Sequence, residues 1–156
     1  MIYIGIDPGL SGAIAVFDMD KGHLSIIDMP VVEIMRNGKK KRELSPAMLA
    51  NVLSLIAKPS TAIVERVGAM PGQGVSSVFS FGRSLGTIEG ALAALQIPVT
   101  LVVPQAWQKA VGVRGGKDGS RQRAAELFPN FAGLFARKKD DGRSDAACLA
   151  WYAATR

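Results

Sequence analysis

The chain begins with the apolar run Tyr3-Ile4-Gly5-Ile6-Asp7-Pro8-Gly9-Leu10-Ser11-Gly12. Residues 1–6 are apolar enough for a buried central strand, and the Pro-Gly pair after them predicts a turn into a returning strand over residues 11–17. A buried strand that ends in Asp7 presents a carboxylate where the sheet opens. Two interpretations stay open: Asp7 belongs to an active site, or it only begins the turn by accepting a nearby backbone hydrogen bond.

The composition predicts one globular domain over residues 1–156 with a polyanionic partner. The chain is 48% hydrophobic, which is enough apolar material for a core. It has no run of ~18 apolar residues and no secretion-signal pattern, so we expect a cytoplasmic protein that does not bind membranes. Nineteen Lys and Arg residues against thirteen Asp and Glu residues give a net charge of +6, which favours nucleic acid as the partner. The single cysteine, Cys148, is predicted to be buried.

A strand meander followed by alternating helices and strands predicts an α/β domain with a mixed sheet. A third strand over residues 23–29 completes the meander. Glycines 82, 86 and 90 are four apart on a long helix and predict close packing of that helix on the sheet. The other predicted elements are a basic loop over 36–42, a helix from Ser45 to Ala57, a strand over 61–65, a Gly-rich loop over 70–75, the long helix over 76–95, a strand over 98–103, a helix over 104–111, a basic loop over 112–120, and helices over 121–128 and from 141 or 142 to 154.

Further acidic residues repeat the pattern of Asp7. Glu65 ends the strand over 61–65, so a second carboxylate lies at a strand end. Asp141 and Asp145 are four apart on the last helix and project from one face, which is unfavourable without a nearby cation. The simpler alternatives are a surface ion pair of Glu65 with a neighbouring basic residue, and an N-cap role for Asp140 or Asp141. We expect one of these two aspartates both to cap the helix and to serve the site.

Together the acids predict a metal site for phosphodiester hydrolysis. Carboxylates without nearby His or Cys are hard oxygen ligands that suit Mg²⁺ or Mn²⁺ rather than zinc. Two such ions roughly 4 Å apart can activate a water and stabilise the leaving oxygen. A basic surface would hold the nucleic-acid backbone, while the ions neutralise the carboxylates at the scissile phosphate. We expect no small-molecule cofactor.

Three motifs occur in the order of a known family: Ile4-Gly5-Ile6-Asp7-Pro8-Gly9, then Val64-Glu65, then Asp145-Ala146 on the last helix. Over nearly the whole chain this order resembles the RuvC-type Holliday-junction resolvases of the ribonuclease H-like superfamily. The resemblance implies a five-stranded mixed sheet, with three antiparallel strands and then parallel ones, flanked by helices. It also implies a homodimer that makes paired nicks in four-way DNA junctions, with two Mg²⁺ ions or with Mn²⁺ in their place.

The resemblance assigns three metal ligands directly and the fourth less directly. Bacterial members usually carry an acid or His three residues before the last aspartate, and that position is Gly142 here. The form Asp-Gly-Arg-Ser-Asp looks more like the phage-encoded branch, so the fourth ligand is assigned to Asp141, with Asp140 as the alternative. The carboxylates that match the family's metal ligands are Asp7, Glu65 and Asp145.

The resemblance also implies DNA contacts. Lys117 matches a basic residue that assists catalysis in the family, although a loop lysine could instead bind phosphate only as a point charge. The loop after Glu65 would enter the junction centre, where Met70 replaces the aromatic residue common in bacterial members. Phe79 and Phe81 are expected in the core or in dimer contacts. The other predicted backbone contacts are the basic run from Arg36 to Arg42, with Lys39, Lys40 and Lys41 within it, and Arg114, Arg121 and Arg123.

Other functions are compatible with parts of this pattern. An actin-like ATPase or sugar kinase also opens with a strand, an acid and a Gly-rich hairpin, but those folds need two such domains and 156 residues are too few. A catalytically inert DNA-binding module of the same fold gains nothing from carboxylates where phosphate docks. A nuclease acting on RNA–DNA hybrid or other branched DNA is the nearest alternative within the enzyme class.

Overall fold

The computed structural model describes all of residues 1–156. Its strands are β1 Ile2–Ile6, β2 Ala13–Asp18, β3 His23–Asp28, β4 Val31–Arg36, β5 Lys39–Leu44, β6 Ser60–Glu65 and β7 Val99–Val102. Its helices are α1 Pro46–Ser54, α2 Val75–Ala94, α3 Pro104–Val111, α4 Gly119–Leu127 and α5 Asp141–Ala154, with 3₁₀ helices over Pro129–Phe135 and Lys138–Asp140. None of the helices combines the length and the apolar character that crossing a membrane requires.

Five strands form the main sheet in the order β3-β2-β1-β6-β7. β1 pairs antiparallel with β2 and parallel with β6, and β7 continues the parallel half. The predicted five-stranded mixed sheet flanked by helices is therefore confirmed. The helix after Ser45 is also confirmed, because the Ser45 hydroxyl accepts a hydrogen bond from the Met48 N–H at 3.3 Å and Pro46 opens the first turn.

Side-chain alternation along β1 places a different core on each face of the sheet. Ile4 and Ile6 are fully buried in the core that includes α1 and α2. Gly5 points to the other face, where an added Cβ would overlap the backbone of Ala146 and Ala150. Helix α5 therefore lies directly on the central strand, because Gly5 has no side chain and the alanines facing it have only a methyl group. This close contact positions the start of α5 beside the end of β1.

The predicted basic loop over 36–42 is wrong, because strands β4 and β5 pair there as an antiparallel hairpin outside the main sheet. The turn between them is Asn37-Gly38, and both residues have positive φ angles, of 52° and 71°. An Asn-Gly pair is the preferred sequence for a two-residue hairpin turn. The four consecutive basic residues of β5 lack the apolar alternation of a half-buried strand, which is why the pattern suggested a loop.

The predicted packing of the α2 glycines is also wrong. An added Cβ at Gly82, Gly86 or Gly90 meets nothing within 4 Å. Helix α2 packs through Ile88 and Leu92 instead, which are both fully buried. On the same helix Phe79 is 72% exposed, so it is not a core residue, whereas Phe81 is partly buried.

Candidate active site

Asp7 and Glu65 lie side by side at one edge of the main sheet. Asp7 directly follows β1 and Glu65 ends β6, and the parallel register pairs Ile6 with Val64, the residues just before them. Asp7 is two residues after Gly5, and Glu65 is two residues after Ile63. Gly5 and Ile63 face α5, so alternation along the strands puts both acids on that face as well. The two carboxylates therefore reach the same edge on the face that α5 covers.

Asp7 combines both of the roles considered for it. Its Oδ1 accepts a hydrogen bond from the Gly9 N–H at 3.0 Å, so it does begin the turn. It also lines an open groove of about 840 Å³. Burial raises the pKa of Asp7, and the Gly9 bond offsets this only in part.

Glu65 is held by Trp107, a residue that the sequence analysis did not select. The Trp107 indole N–H donates to Glu65 Oε1 at 2.9 Å, and Trp107 is fully buried on α3. Burial raises the pKa of Glu65, the indole bond lowers it, and the negative charge of Asp7 raises it again. The available sequence signal was a lone tryptophan in the helix after β7, the strand that pairs with β6.

Asp145 joins these acids from α5. Its pKa is raised to about 7, chiefly by burial and also by the negative charges of Asp7, Glu65 and Asp141, while a hydrogen bond with the Ser120 side chain acts in the opposite direction. Its Oδ1 is buried and has no hydrogen-bond partner. A buried, unpartnered carboxylate oxygen is costly, so this atom is a candidate for binding a cation.

The two candidates for the fourth ligand differ sharply. Asp140 is buried and accepts hydrogen bonds from the Arg137 N–H and guanidinium at 2.8–3.2 Å. Arg137 thereby lowers the pKa of Asp140. Asp141 is exposed, forms an ion pair with Arg121 at 3.2 Å, and lines the groove together with Asp145. The structure favours Asp141 over Asp140 as the fourth ligand, because the carboxylate of Asp141 is exposed in the groove and makes a single ion pair, whereas that of Asp140 is buried and held by four hydrogen bonds.

We expected one aspartate both to cap α5 and to serve the site. The capping part of this prediction is wrong, because no aspartate side chain makes a capping hydrogen bond to α5. Asp140 precedes α5 but makes no side-chain capping bond to it, because its carboxylate is turned back to Arg137. Asp141 lies in the first turn of α5, where a negative charge is favourable.

Gly142 cannot carry the acid or His that bacterial relatives are expected to have at this position. An added Cβ would overlap the Ser11 carbonyl oxygen and the Gly12 Cα, and it would lie 3.2 Å from Asp7 Oδ2. Helix α5 therefore packs against the β1–β2 loop at this glycine. The absence of a side chain there follows from the same close contact that brings Asp145 to Asp7.

Basic residues line the groove with these acids. Arg42 belongs to the predicted basic run, whereas Arg137, Lys139 and Arg143 were not predicted to contribute. Arg143 binds Asp28 through two hydrogen bonds of 2.6 and 2.7 Å. This pairing fixes the Arg143 guanidinium two residues before Asp145, at the groove wall.

The predicted DNA-binding residues fall into two groups. Lys117 and Arg114 are exposed and line a cavity next to the groove, together with Asp141 and Asp145. The others that project into solvent are Met70, which is 65% exposed, and Lys39, Lys40 and Lys41 on β5.

By contrast, Arg121 and Arg123 are engaged within the chain. Arg121 donates to the Ala136 carbonyl at 3.1 Å and pairs with Asp118 and Asp141. Arg123 donates to the Val111 carbonyl at 2.7 Å and to Glu126 at 2.8 Å. The structure therefore gives both side chains a role in holding α4 in place.

The acids fit a divalent cation by chemistry but do not form a ready cluster. No three His, Cys, Asp or Glu side chains stand close enough together to hold a metal ion. Three carboxylates with burial-raised pKa values nevertheless share one edge of the sheet, and the Oδ1 of Asp145 has no partner. Hard oxygen donors whose charge is left unbalanced in this way suit Mg²⁺ or Mn²⁺.

Comparisons with known proteins give matches in both sequence and structure. No protein-family model matches the chain. A segment of 92 residues, 58% of the chain, is 32% identical to the chloroplastic Holliday junction resolvase MOC1 of Chlamydomonas reinhardtii. That match covers 10% of MOC1, so the chain spans about a tenth of this relative's length.

Two of the similar solved structures are RuvC of Thermus thermophilus. The one in complex with a Holliday junction substrate has a TM-score of 0.65 at 16% identity, and the other has a TM-score of 0.60 at 18% identity. Each comparison covers 99% of this chain and 93% of the RuvC chain. The resemblance to the RuvC type is thus confirmed in its fold. The phage-encoded branch stays a prediction.

Proposed function

We propose that this chain is a Mg²⁺-dependent endonuclease that resolves four-way DNA junctions by paired nicks. The observation that carries the proposal is the group formed by Asp7, Glu65 and Asp145, three carboxylates with raised pKa values at one edge of a RuvC fold. The named activity of MOC1 and the junction bound to Thermus thermophilus RuvC support four-way DNA as the substrate.

Asp7, Glu65 and Asp145 would hold the metal ions, with Asp141 as the fourth ligand. Two divalent ions, when bound, would activate the attacking water and stabilise the leaving oxygen of the phosphodiester. Because the pKa of Asp145 is about 7, this carboxyl group must release a proton to bind a cation near neutral pH. We therefore expect metal affinity to rise between about pH 6 and pH 8.

The basic residues around the acids would position the DNA. Lys117 and Arg114 flank Asp145 on one side, and Arg143 lines the groove on the other. Cations on both sides of the carboxylates would hold the backbone so that the scissile phosphate lies between them. The exposed loop after Glu65 would place Met70 at the junction centre, where an apolar wedge can enter an unstacked step.

Paired nicks require two active sites, and a homodimer would supply them. The start of α2 exposes Val75 and Phe79, which are 87% and 72% accessible. Large exposed apolar side chains on one element support a protein contact there.

The test is cleavage of three substrates that share one sequence: a four-way junction, a linear DNA duplex and an RNA–DNA hybrid. We expect symmetric nicks in the junction with Mg²⁺ and none with EDTA. Equal cleavage of all three would support a general nuclease instead, and preferred cleavage of the hybrid would support the ribonuclease H-like alternative. Junction binding without cleavage in Mg²⁺ or Mn²⁺ would identify an inert DNA-binding module.

A further inference from the structure

A basic groove lies between the β4–β5 hairpin and the first half of α2. Two adjoining cavities form it, and both are lined by Lys41 and Arg42 from the hairpin and by Ser76 and Ser80 from the helix. We call it the hairpin groove. Arg36, Lys40, Lys41 and Arg42 belong to the basic run that was predicted to contact DNA, whereas the hairpin was not predicted and no α2 residue was expected to contact DNA.

The hairpin groove carries a surplus of positive charge. Glu43 is the single acid that lines it, and this acid is already paired with Arg83 at 3.5 Å and with Arg36 at 4.0 Å. Lys41 makes no ion pair, and Arg42 donates only to a backbone carbonyl. The cations that line the groove are Arg36, Lys40, Lys41, Arg42 and Arg83.

The wall opposite the hairpin offers hydroxyl groups. Ser76, Ser77 and Ser80 line the groove from α2. Thr87 is the α2 side chain whose hydroxyl is used within the chain, through a bond of 2.8 Å to the Arg83 carbonyl. The serine hydroxyls are therefore free for a ligand. Cations from the hairpin and from Arg83 of α2, together with small neutral donors, are the groups that contact DNA phosphates.

The hairpin groove also continues into the candidate active site. Pro8 and Leu10, from the loop directly after Asp7, line its inner end. Arg42 donates to the Leu10 carbonyl at 3.1 Å, and it also lines the groove that contains Asp7 and Asp145. One arginine thus belongs to both grooves and holds the hairpin against the catalytic loop.

We propose that the hairpin groove binds the sugar–phosphate backbone of the DNA strand on one side of the cleaved bond. This inference rests on the proposed nuclease function, because it takes the carboxylate edge as the place of cleavage. The β4–β5 hairpin then acts as a wall that directs the strand past Asp7. The recognised chemistry is a run of phosphates, so the contact is independent of base sequence.

The test compares variants of each wall with a control of equal charge. Lys40→Gln with Lys41→Gln removes two cations from the hairpin wall, and Ser76→Asp places a negative charge on the α2 wall. Lys21→Gln with Lys58→Gln removes two cations from the opposite end of the sheet, because Lys21 follows β2 and Lys58 precedes β6. All five positions are exposed, so the variants should fold.

The readout is binding of a four-way junction and of a linear duplex across a salt series, without divalent metal. We expect the double hairpin variant to bind both DNAs about tenfold more weakly at physiological salt. The slope of log K against log salt should become shallower by about 1.8, since each lost phosphate contact contributes about 0.9. Ser76→Asp should weaken binding of both DNAs by a similar factor, and the control pair by less than about twofold.

The inference is overturned if the hairpin variant behaves like the control pair, or if Ser76→Asp binds as the unmodified protein does. Binding of the linear duplex tests the groove even if the protein does not prefer four-way junctions, because the duplex offers the same phosphates. A protein that binds both DNAs through the groove and cleaves neither in Mg²⁺ would refute the proposed function and leave the groove intact.

Discussion

Two groups of acids near the start of α5 show opposite electrostatic behaviour. Asp7, Glu65 and Asp145, the edge carboxylates, have pKa values raised mainly by burial, and neighbouring negative charges raise those of Glu65 and Asp145 further. Asp28 and Asp140, the paired aspartates, have pKa values lowered by the guanidinium groups of Arg143 and Arg137. The groups are neighbours, since Asp28, Asp140 and Asp145 line one groove.

The contrast separates acids that build the structure from acids that are available for function. The charge of a paired aspartate is already balanced by arginine, so a metal ion would have to displace that partner. The charge of an edge carboxylate is not balanced, so an ion that binds there removes an unfavourable term from the folded state. Proximity in sequence does not make this distinction, because Asp140 and Asp141 are adjacent and belong to different environments.

The largest expected effect is on cleavage. Asp7→Asn should lower the single-turnover rate of junction cleavage by more than about 1,000-fold, because it removes an edge carboxylate that acts in a unit with the others. Junction binding should stay within about twofold, since a neutral amide repels phosphate no more than a carboxylate does. The matched change Asp28→Asn should cost less than about tenfold in rate. Full activity of Asp7→Asn would refute the assignment of the edge carboxylates.

For the free energy of unfolding we expect the larger effect from a paired aspartate. Asp140→Ala should lower the free energy of unfolding by about 2–3 kcal/mol, because it removes the buried acceptor of four Arg137 hydrogen bonds. The neighbouring change Asp141→Ala affects an exposed side chain and should cost less than about 0.5 kcal/mol. Urea unfolding measures both. Equal losses of unfolding free energy in the two variants would contradict the difference in burial and pairing between Asp140 and Asp141.

The contact between α5 and the β1–β2 loop should be sensitive to one methyl group. Gly142→Ala should destabilise the fold by about 2 kcal/mol, because the new Cβ overlaps the Ser11 carbonyl and the loop must move. The control Gly90→Ala adds the same methyl group to an open helix face and should stabilise by up to about 1 kcal/mol. Thermal unfolding of both variants gives the comparison. A neutral Gly142→Ala would show that the position can accept a side chain.

The smallest expected effect depends on pH. A carboxyl group whose folded-state pKa is raised binds its proton more tightly when folded, so stability falls as pH rises from about 4 to about 7. Asp145→Asn removes this loss. It should match the unmodified protein below about pH 4 and be more stable by about 1–2 kcal/mol above pH 7.

The control for this profile is Asp140→Asn, for which the sign reverses. Because the folded-state pKa of Asp140 is lowered, its contribution is present at neutral pH and is lost as pH falls through that lowered value. Added Mg²⁺ should raise the melting temperature of the unmodified protein at pH 8 and have a smaller effect on Asp145→Asn. A profile of Asp145→Asn that is parallel to the unmodified one at every pH would contradict the raised pKa.

Local sequence patterns were sufficient for most of the main sheet and its helices. The apolar run into Asp7 and the strand ending at Glu65 were placed correctly, and the Ser-Pro start of α1 was a reliable signal. These features depend on side-chain burial and capping within a few residues. The β4–β5 hairpin was missed because the basic residues of β5 obscured an Asn-Gly turn that was itself readable.

Relations between distant segments were not readable from the sequence. No pattern connects Trp107 to Glu65, or Arg143 to Asp28, although each pair is joined by hydrogen bonds in the fold. The predicted packing of the α2 glycines was wrong because their spacing shows only that they share one helix face. It does not show whether that face meets the sheet.

The sequence by itself determined the strand ends that carry Asp7 and Glu65 and the helix that carries Asp145, because periodicity and turns are local properties. Only the tertiary structure decided which acids remain without a cation. That outcome depends on how closely α5 approaches β1 at Gly5 and Gly142, and on the Arg143 guanidinium, which binds Asp28 across a separation of 115 residues. Charge balance at a site is a property of contacts between distant segments, and it exists only once the chain has folded.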